Sequence, residues 1–265
     1  MSNLCIPQEI CDRIVNFLHD DPETLEQCCL VSKSWVLCTQ KHIFAVVKFV
    51  IPHDLEAWKN TFPDPSNSPA HHTHTLLIYC MRGTTVADVT KGGWIQTFSS
   101  VMRFEARNVN DAVLEIFLST FHNTIKALHM GRSCTLLLQL VNLIYPLLVL
   151  RDLSLTSCDF DPGGPLTITY SNPPPLTETL GLQVSFGMTS MVHQLLDIPS
   201  GLHFRESRLI SSNFACMGRL VEACSGTLEY LELLLNWRSV PGNGSTGVVL
   251  LVRLETKCIE AKQAG

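Results

Sequence analysis

Ile125-Lys126-Ala127-Leu128-His129-Met130 and Leu150-Arg151-Asp152-Leu153-Ser154-Leu155 read as two copies of one strand, with apolar residues at the first, fourth and sixth places. Alternation with period two sends Leu128 and Met130, and likewise Leu153 and Leu155, to one face and their neighbours to the other. Leu228-Glu229-Tyr230-Leu231-Glu232-Leu233 is a third copy. Weaker strands anchored at Leu76, Phe104, Leu180 and Ser207 complete the series, and successive anchors lie 28, 24, 25, 27, 27 and 24 residues apart. Between the strands, Val113 to Phe121, Leu136 to Leu148 and Phe214 to Cys224 carry apolar residues at helical spacing. One strand and one helix cannot close a core alone, so stacked copies must share one. The expectation is an α/β solenoid over residues 74–254, either truncated or closed by Val248 to Leu254 as a last strand, and followed by a tail, 255–265. The Asp161 to Pro165 turn and Pro173-Pro174-Pro175 enlarge one copy.

Upstream, the period changes. Ile10, Ile14, Phe17 and Leu18 share one stripe of a helix opposite Asp12 and Arg13. Pro7 suits its first turn, where a missing N–H costs nothing. Asp20-Asp21-Pro22 ends it and caps a second helix, Pro22 to Leu30, with Glu23 in the first turn. Ser32 is placed to cap a third, in which Trp35, Cys38, Thr39, His42 and Ile43 recur at helical spacing. Three short helices cannot cover all these apolar faces among themselves, so something else must. Pro7, Ile10 and Ile14 are read as contact residues, and the large aromatics Phe17 and Trp35 as core.

The run Leu4-x-Ile6-Pro7-x-Glu9-Ile10-x-Asp12-x-Ile14-x-x-Phe17-Leu18, then Leu25-x-x-Cys28-x-Leu30-Val31-Ser32-Lys33-x-Trp35, then Ile43-Phe44, resembles the F-box. Ile6 stands where leucine is usual, and Cys11, Cys28, Cys29 and Cys38 are further departures. The resemblance implies a three-helix module that packs on a Skp-type adaptor, which binds a cullin scaffold. By motif position Ile6, Pro7, Ile10, Ile14, Leu18, Leu30, Val31 and Trp35 would lie at or beneath that interface. The repeats resemble leucine-rich repeats. The whole is similar to the F-box proteins with degenerate leucine-rich repeats of mushroom-forming fungi. The implied fold is α+β: an F-box domain over 1–50, a linker over 51–73 marked by Pro52, Pro63, Pro65 and Pro69, and the repeat domain.

Bulk composition bounds the function. A net charge of -5 with 19 Lys and Arg and no block of like charge gives no electrostatic hold on nucleic acid or an anionic membrane. The most apolar stretch, Thr135 to Leu150, is broken by Gln139, Asn142 and Pro146 and is too short to span a bilayer. Met1 to Asp12 lacks the apolar core of a signal peptide, so the 11 cysteines are expected as free thiols in the cytoplasm or nucleus. No Cys-x-x-Cys occurs, and His71, His72 and His74 lack partners at ligand spacing, so no metal or cofactor is expected. Gly-x-Ser-x-Gly, Gly-x-x-x-x-Gly-Lys and His-Glu-x-x-His are absent, and no catalytic residue is assigned.

The resulting expectation is a non-catalytic substrate-recognition subunit of a ubiquitin ligase, with a scaffold that uses its F-box without ubiquitin transfer as the alternative. The residues flanking the leucines point outward, and Arg103, Lys126, His129, Arg151, Asp152, Glu229, Tyr230 and Glu232 are expected to meet a target protein. Their mixed signs suit a polar protein surface, with Tyr230 as the candidate anchor.

Overall fold

The computed structural model describes residues 6–131, 135–136, 144–157, 159–160, 175–183, 188–198, 201–211, 214–236 and 249–255. They make a mixed α+β structure with eight α-helices and a nine-stranded, mostly parallel sheet among the described residues.

α1 (Gln8–Phe17), α2 (Pro22–Cys29) and α3 (Lys33–Ile43) enclose a small core of Cys11, Val15, Leu25 and Cys38, with Leu18, Trp35 and Ile43 packed against it. Asp21 caps α2, its carboxylate accepting the Thr24 N–H at 3.0 Å. Ser32 does not cap α3 in the expected way, since its hydroxyl instead lies 2.7 Å from that of Ser34. Cys11, Val15 and Leu18 form the inward stripe of α1, at i, i+4 and i+7. Ile10, Ile14 and Phe17 form the adjoining stripe. Phe17 was expected in the core but is 86% exposed. Two residues beyond Val15 is about 200° around the helix, so with Val15 buried Phe17 must face away.

The sheet runs through β1 (Val46–Phe49), β2 (Thr75–Tyr79), β3 (Arg103–Arg107), β4 (Ala127–Gly131), β6 (Asp152–Thr156), β8 (Thr179–Gln183), β9 (Glu206–Ser211), β10 (Tyr230–Asn236) and β11 (Val249–Glu255), in chain order. Neighbours are parallel up to β10, and β11 turns back antiparallel. β5 (Thr135–Leu136) and β7 (Asp159–Phe160) pair apart from it. Leu76, Phe104, Leu128, Leu153, Leu180, Ser207 and Leu231, the seven anchors of the sequence pattern, stand side by side in register and are all buried. Cys80, Asn108 and Ser157 each directly follow a strand and take φ of 51, 54 and 53°, so the same left-handed exit recurs after β2, β3 and β6.

Residues 51–73, read from their prolines as a linker, carry α4 (Pro52–Thr61) and two 3-10 turns. Pro52 opens α4, and the Asp54 carboxylate accepts the N–H groups of Val50 and Ile51 at 2.7 and 3.1 Å. β1, placed by the sequence with the N-terminal helices, is the first strand of the sheet. Phe44, at the end of α3, meets Trp58 of α4 edge-on at 5.9 Å, and Trp58 meets Phe49 of β1 at the same distance. This aromatic cluster joins the helices to the sheet.

The inner face of the sheet packs on α5 (Val86–Thr90), α6 (Asp111–Phe121), α7 (Met188–Leu196) and α8 (Phe214–Cys224), whose buried residues join the strand residues in one core. Phe104 stacks on Phe117 at 5.5 Å. Helices expected over Val113 to Phe121 and Phe214 to Cys224 are found there. That over Leu136 to Leu148 lies mostly outside the described residues, as do the Asp161 to Pro165 turn and the tail after 255. Among the described residues no helix is long and apolar enough to cross a membrane.

Candidate functional site

Two surfaces merit attention. The first is the outer face of α1 and the α2–α3 turn. Ile6, Ile10 and Ile14 are 49, 44 and 39% exposed, and Leu30 and Val31 are 79 and 67% exposed. Pro7 is exposed beside them, while Leu18 and Trp35 lie half-buried beneath, against the small core. Phe17 and Leu37 extend the exposed apolar surface and were not assigned to it from sequence. Fully burying one aliphatic side chain is worth about 1.5–3 kcal/mol, so a surface left this apolar has much to gain from a partner.

The second surface is the outer face of the sheet. Strand alternation places Arg103, His129, Asp152, Tyr230 and Glu232 on it, five of the eight residues expected to meet a target. Lys126, Arg151 and Glu229 are not part of that row. Each stands one residue before its strand, where backbone bonds such as Arg151 N–H to Lys126 O and Glu229 N–H to Arg205 O continue the ladder as a charged lip. Arg151 there lies 4.0 Å from Glu178.

Of the outward residues, Lys48, Tyr79, Arg107, Glu206, Arg208 and Arg253 escaped the sequence reading. Tyr79 donates its hydroxyl to Glu105 at 2.9 Å, and Glu105 also pairs with Arg107 at 2.6 Å. The Arg107 guanidinium lies 5.2 Å from the Tyr79 ring centre, and the Lys48 ammonium lies 5.1 Å from it. Burial and the Glu105 bond push the Tyr79 hydroxyl above its ordinary pKa, which keeps it a donor. At the far end, Glu232 receives Arg253 at 3.2 Å and Arg208 at 3.9 Å, and Arg208 also reaches Glu206 at 4.0 Å. The available signal was the same alternation carried further along the strand: Tyr79 and Arg107 stand three places after the anchors Leu76 and Phe104, on the outward parity.

Between these ends lies a recess of about 420 Å³, lined among others by Arg107, His129, Ser154, Ser157 and Gln183. Gly131 lines it without a side chain; beside it in the sheet, a Cβ on Gly181 would come within 3.0 Å of the Ser154 hydroxyl. Burial, and then Arg103, hold the His129 pKa below its ordinary value, against the opposing pull of Glu105 and Asp152. No group of three His, Cys, Asp or Glu among the described residues is placed to hold a metal ion. No family model, curated protein or solved structure matches this chain.

Proposed function

We propose that this chain is a non-catalytic substrate receptor of a Skp–cullin–F-box ubiquitin ligase, working in the cytoplasm or nucleus. In this reading α1–α3 are the F-box, and the sheet with its helices is a leucine-rich-repeat-like solenoid that presents its outer face to a target protein. The adaptor covers Ile6, Pro7, Ile10, Ile14, Leu30 and Val31, while Leu18 and Trp35 support them from below. The observation that carries the reading is the exposed apolar stripe of α1, contiguous in sequence with the motif residues and left open by the small core beneath it. Holding the target near the conjugating enzyme raises its effective concentration and needs no catalytic side chain here.

The test is co-expression with a Skp-type adaptor and recovery of both proteins, followed by a search for cullin in the same complex. Ile10→Asp with Ile14→Asp would place unpaired charge in an apolar contact and should weaken adaptor binding at least about a hundredfold. Both side chains are partly exposed, so circular dichroism should be unchanged. Undiminished adaptor binding by the folded variant overturns the proposal.

A further inference from the structure

The charges on the outer face are unevenly distributed. From β6 onward Asp152, Glu206 and Glu232 stand with Arg208 and Arg253, and most of these are already paired with one another. Over β1–β3 three cations, Lys48, Arg103 and Arg107, stand with one carboxylate, Glu105. Glu105 is taken up by Arg107 and the Tyr79 hydroxyl. Lys48 and Arg103 are exposed and make no ion pair among the described residues. Of these groups Arg107 and its partner Glu105 line the recess. Its rim adds the hydroxyls of Ser154 and Ser157 and the amide of Gln183, all able to donate a hydrogen bond.

We propose that the β1–β8 part of the outer face binds an extended, acidic segment of a protein partner, with one carboxylate entering the recess between Arg107, His129 and Ser154 and others meeting Lys48 and Arg103. The span fits. Five strand spacings of about 4.8 Å make roughly 24 Å, the length of about seven extended residues. A negative segment is drawn to the cation-rich strands, while Asp152, whose carboxylate accepts the Thr179 N–H at 3.1 Å, disfavours an acidic residue directly over β6. The inference rests on reading this face as the target surface, but not on docking of the helices.

The probe is a fluorescein-labelled heptapeptide, Ser-Glu-Glu-Ser-Glu-Glu-Ser, measured by anisotropy against the full chain at low salt, beside its glutamine counterpart and an oligothymidylate. The glutamate peptide should bind at least tenfold tighter than the glutamine peptide, and added salt should weaken it. Lys48→Glu with Arg103→Glu should abolish that preference without changing the thermal midpoint. Lys91→Glu, an exposed charge away from the sheet, should leave it intact. Equal binding of both peptides, binding that survives the double reversal, or tighter binding of the oligothymidylate each overturns the inference. Adaptor capture by the same variants is scored separately, so a failure of the F-box reading is distinguishable from a failure of this one.

Discussion

The helices α1–α3 and the sheet handle surplus apolar surface in opposite ways. In the helical trio the core is Cys11, Val15, Leu25 and Cys38, and larger residues, Ile10, Phe17 and Leu30, stay in contact with solvent. In the sheet every anchor is buried, and the outer face is polar and largely paired within itself. A unit too small to complete its core leaves apolar side chains in water, whereas a unit that completes its core shows the solvent mainly hydrogen-bonding groups and charge.

The contrast breaks most easily at two phenylalanines. Phe104→Ala removes a fully buried ring stacked on Phe117 and should cost about 3–5 kcal/mol. Phe17→Ala should stay within about 0.5 kcal/mol, because its ring is already in water. Urea unfolding reads both; similar losses would mean that α1 packs differently. A smaller effect is expected at Glu105→Gln, which leaves the Arg107 guanidinium without its counter-charge. Arg107 is half in water, so about 1–2 kcal/mol is expected, not the larger loss seen when a fully buried pair is cut. A neutral result would show the Tyr79–Glu105–Arg107 cluster to be dispensable for the fold.

The smallest effect concerns pH. Burial holds the pKa values of His42, His72 and His129 below the ordinary value in the folded chain. The unfolded chain therefore binds more protons as pH falls through about 6.5, and stability should be constant above that value and decline below it. The urea midpoint at pH 5.5 should lie below that at pH 7.5, and His129→Asn should narrow the gap. A midpoint that rises on acidification contradicts the assignment.

The register of the sheet was legible because two periods coincide at the same residues. Alternation fixes the face of Leu128, and a spacing near 25 residues fixes its neighbours Phe104 and Leu153. β1 and α4 were hidden by Pro52, which looks like a breaker in sequence but occupies the first turn of a helix. Phe17 was misplaced because two adjoining stripes of α1 are both apolar, and only packing chooses between them. The cluster of Tyr79, Glu105 and Arg107 was not legible because its partners lie 26 residues apart or on alternate positions of one strand, and nothing local marks them as a unit.

The reversal of β11 bears on how the chain could lengthen. A parallel strand left open at β10 would offer its N–H and C=O groups to a further strand or to a second molecule. β11 occupies that edge in the opposite direction, over seven residue pairs from Tyr230 with Glu255 to Asn236 with Val249. A further strand running the way β10 runs would meet a neighbour of opposite polarity. Any further strand on this side of the sheet must therefore pair with β11, whose direction opposes that of the eight strands before it in the sheet.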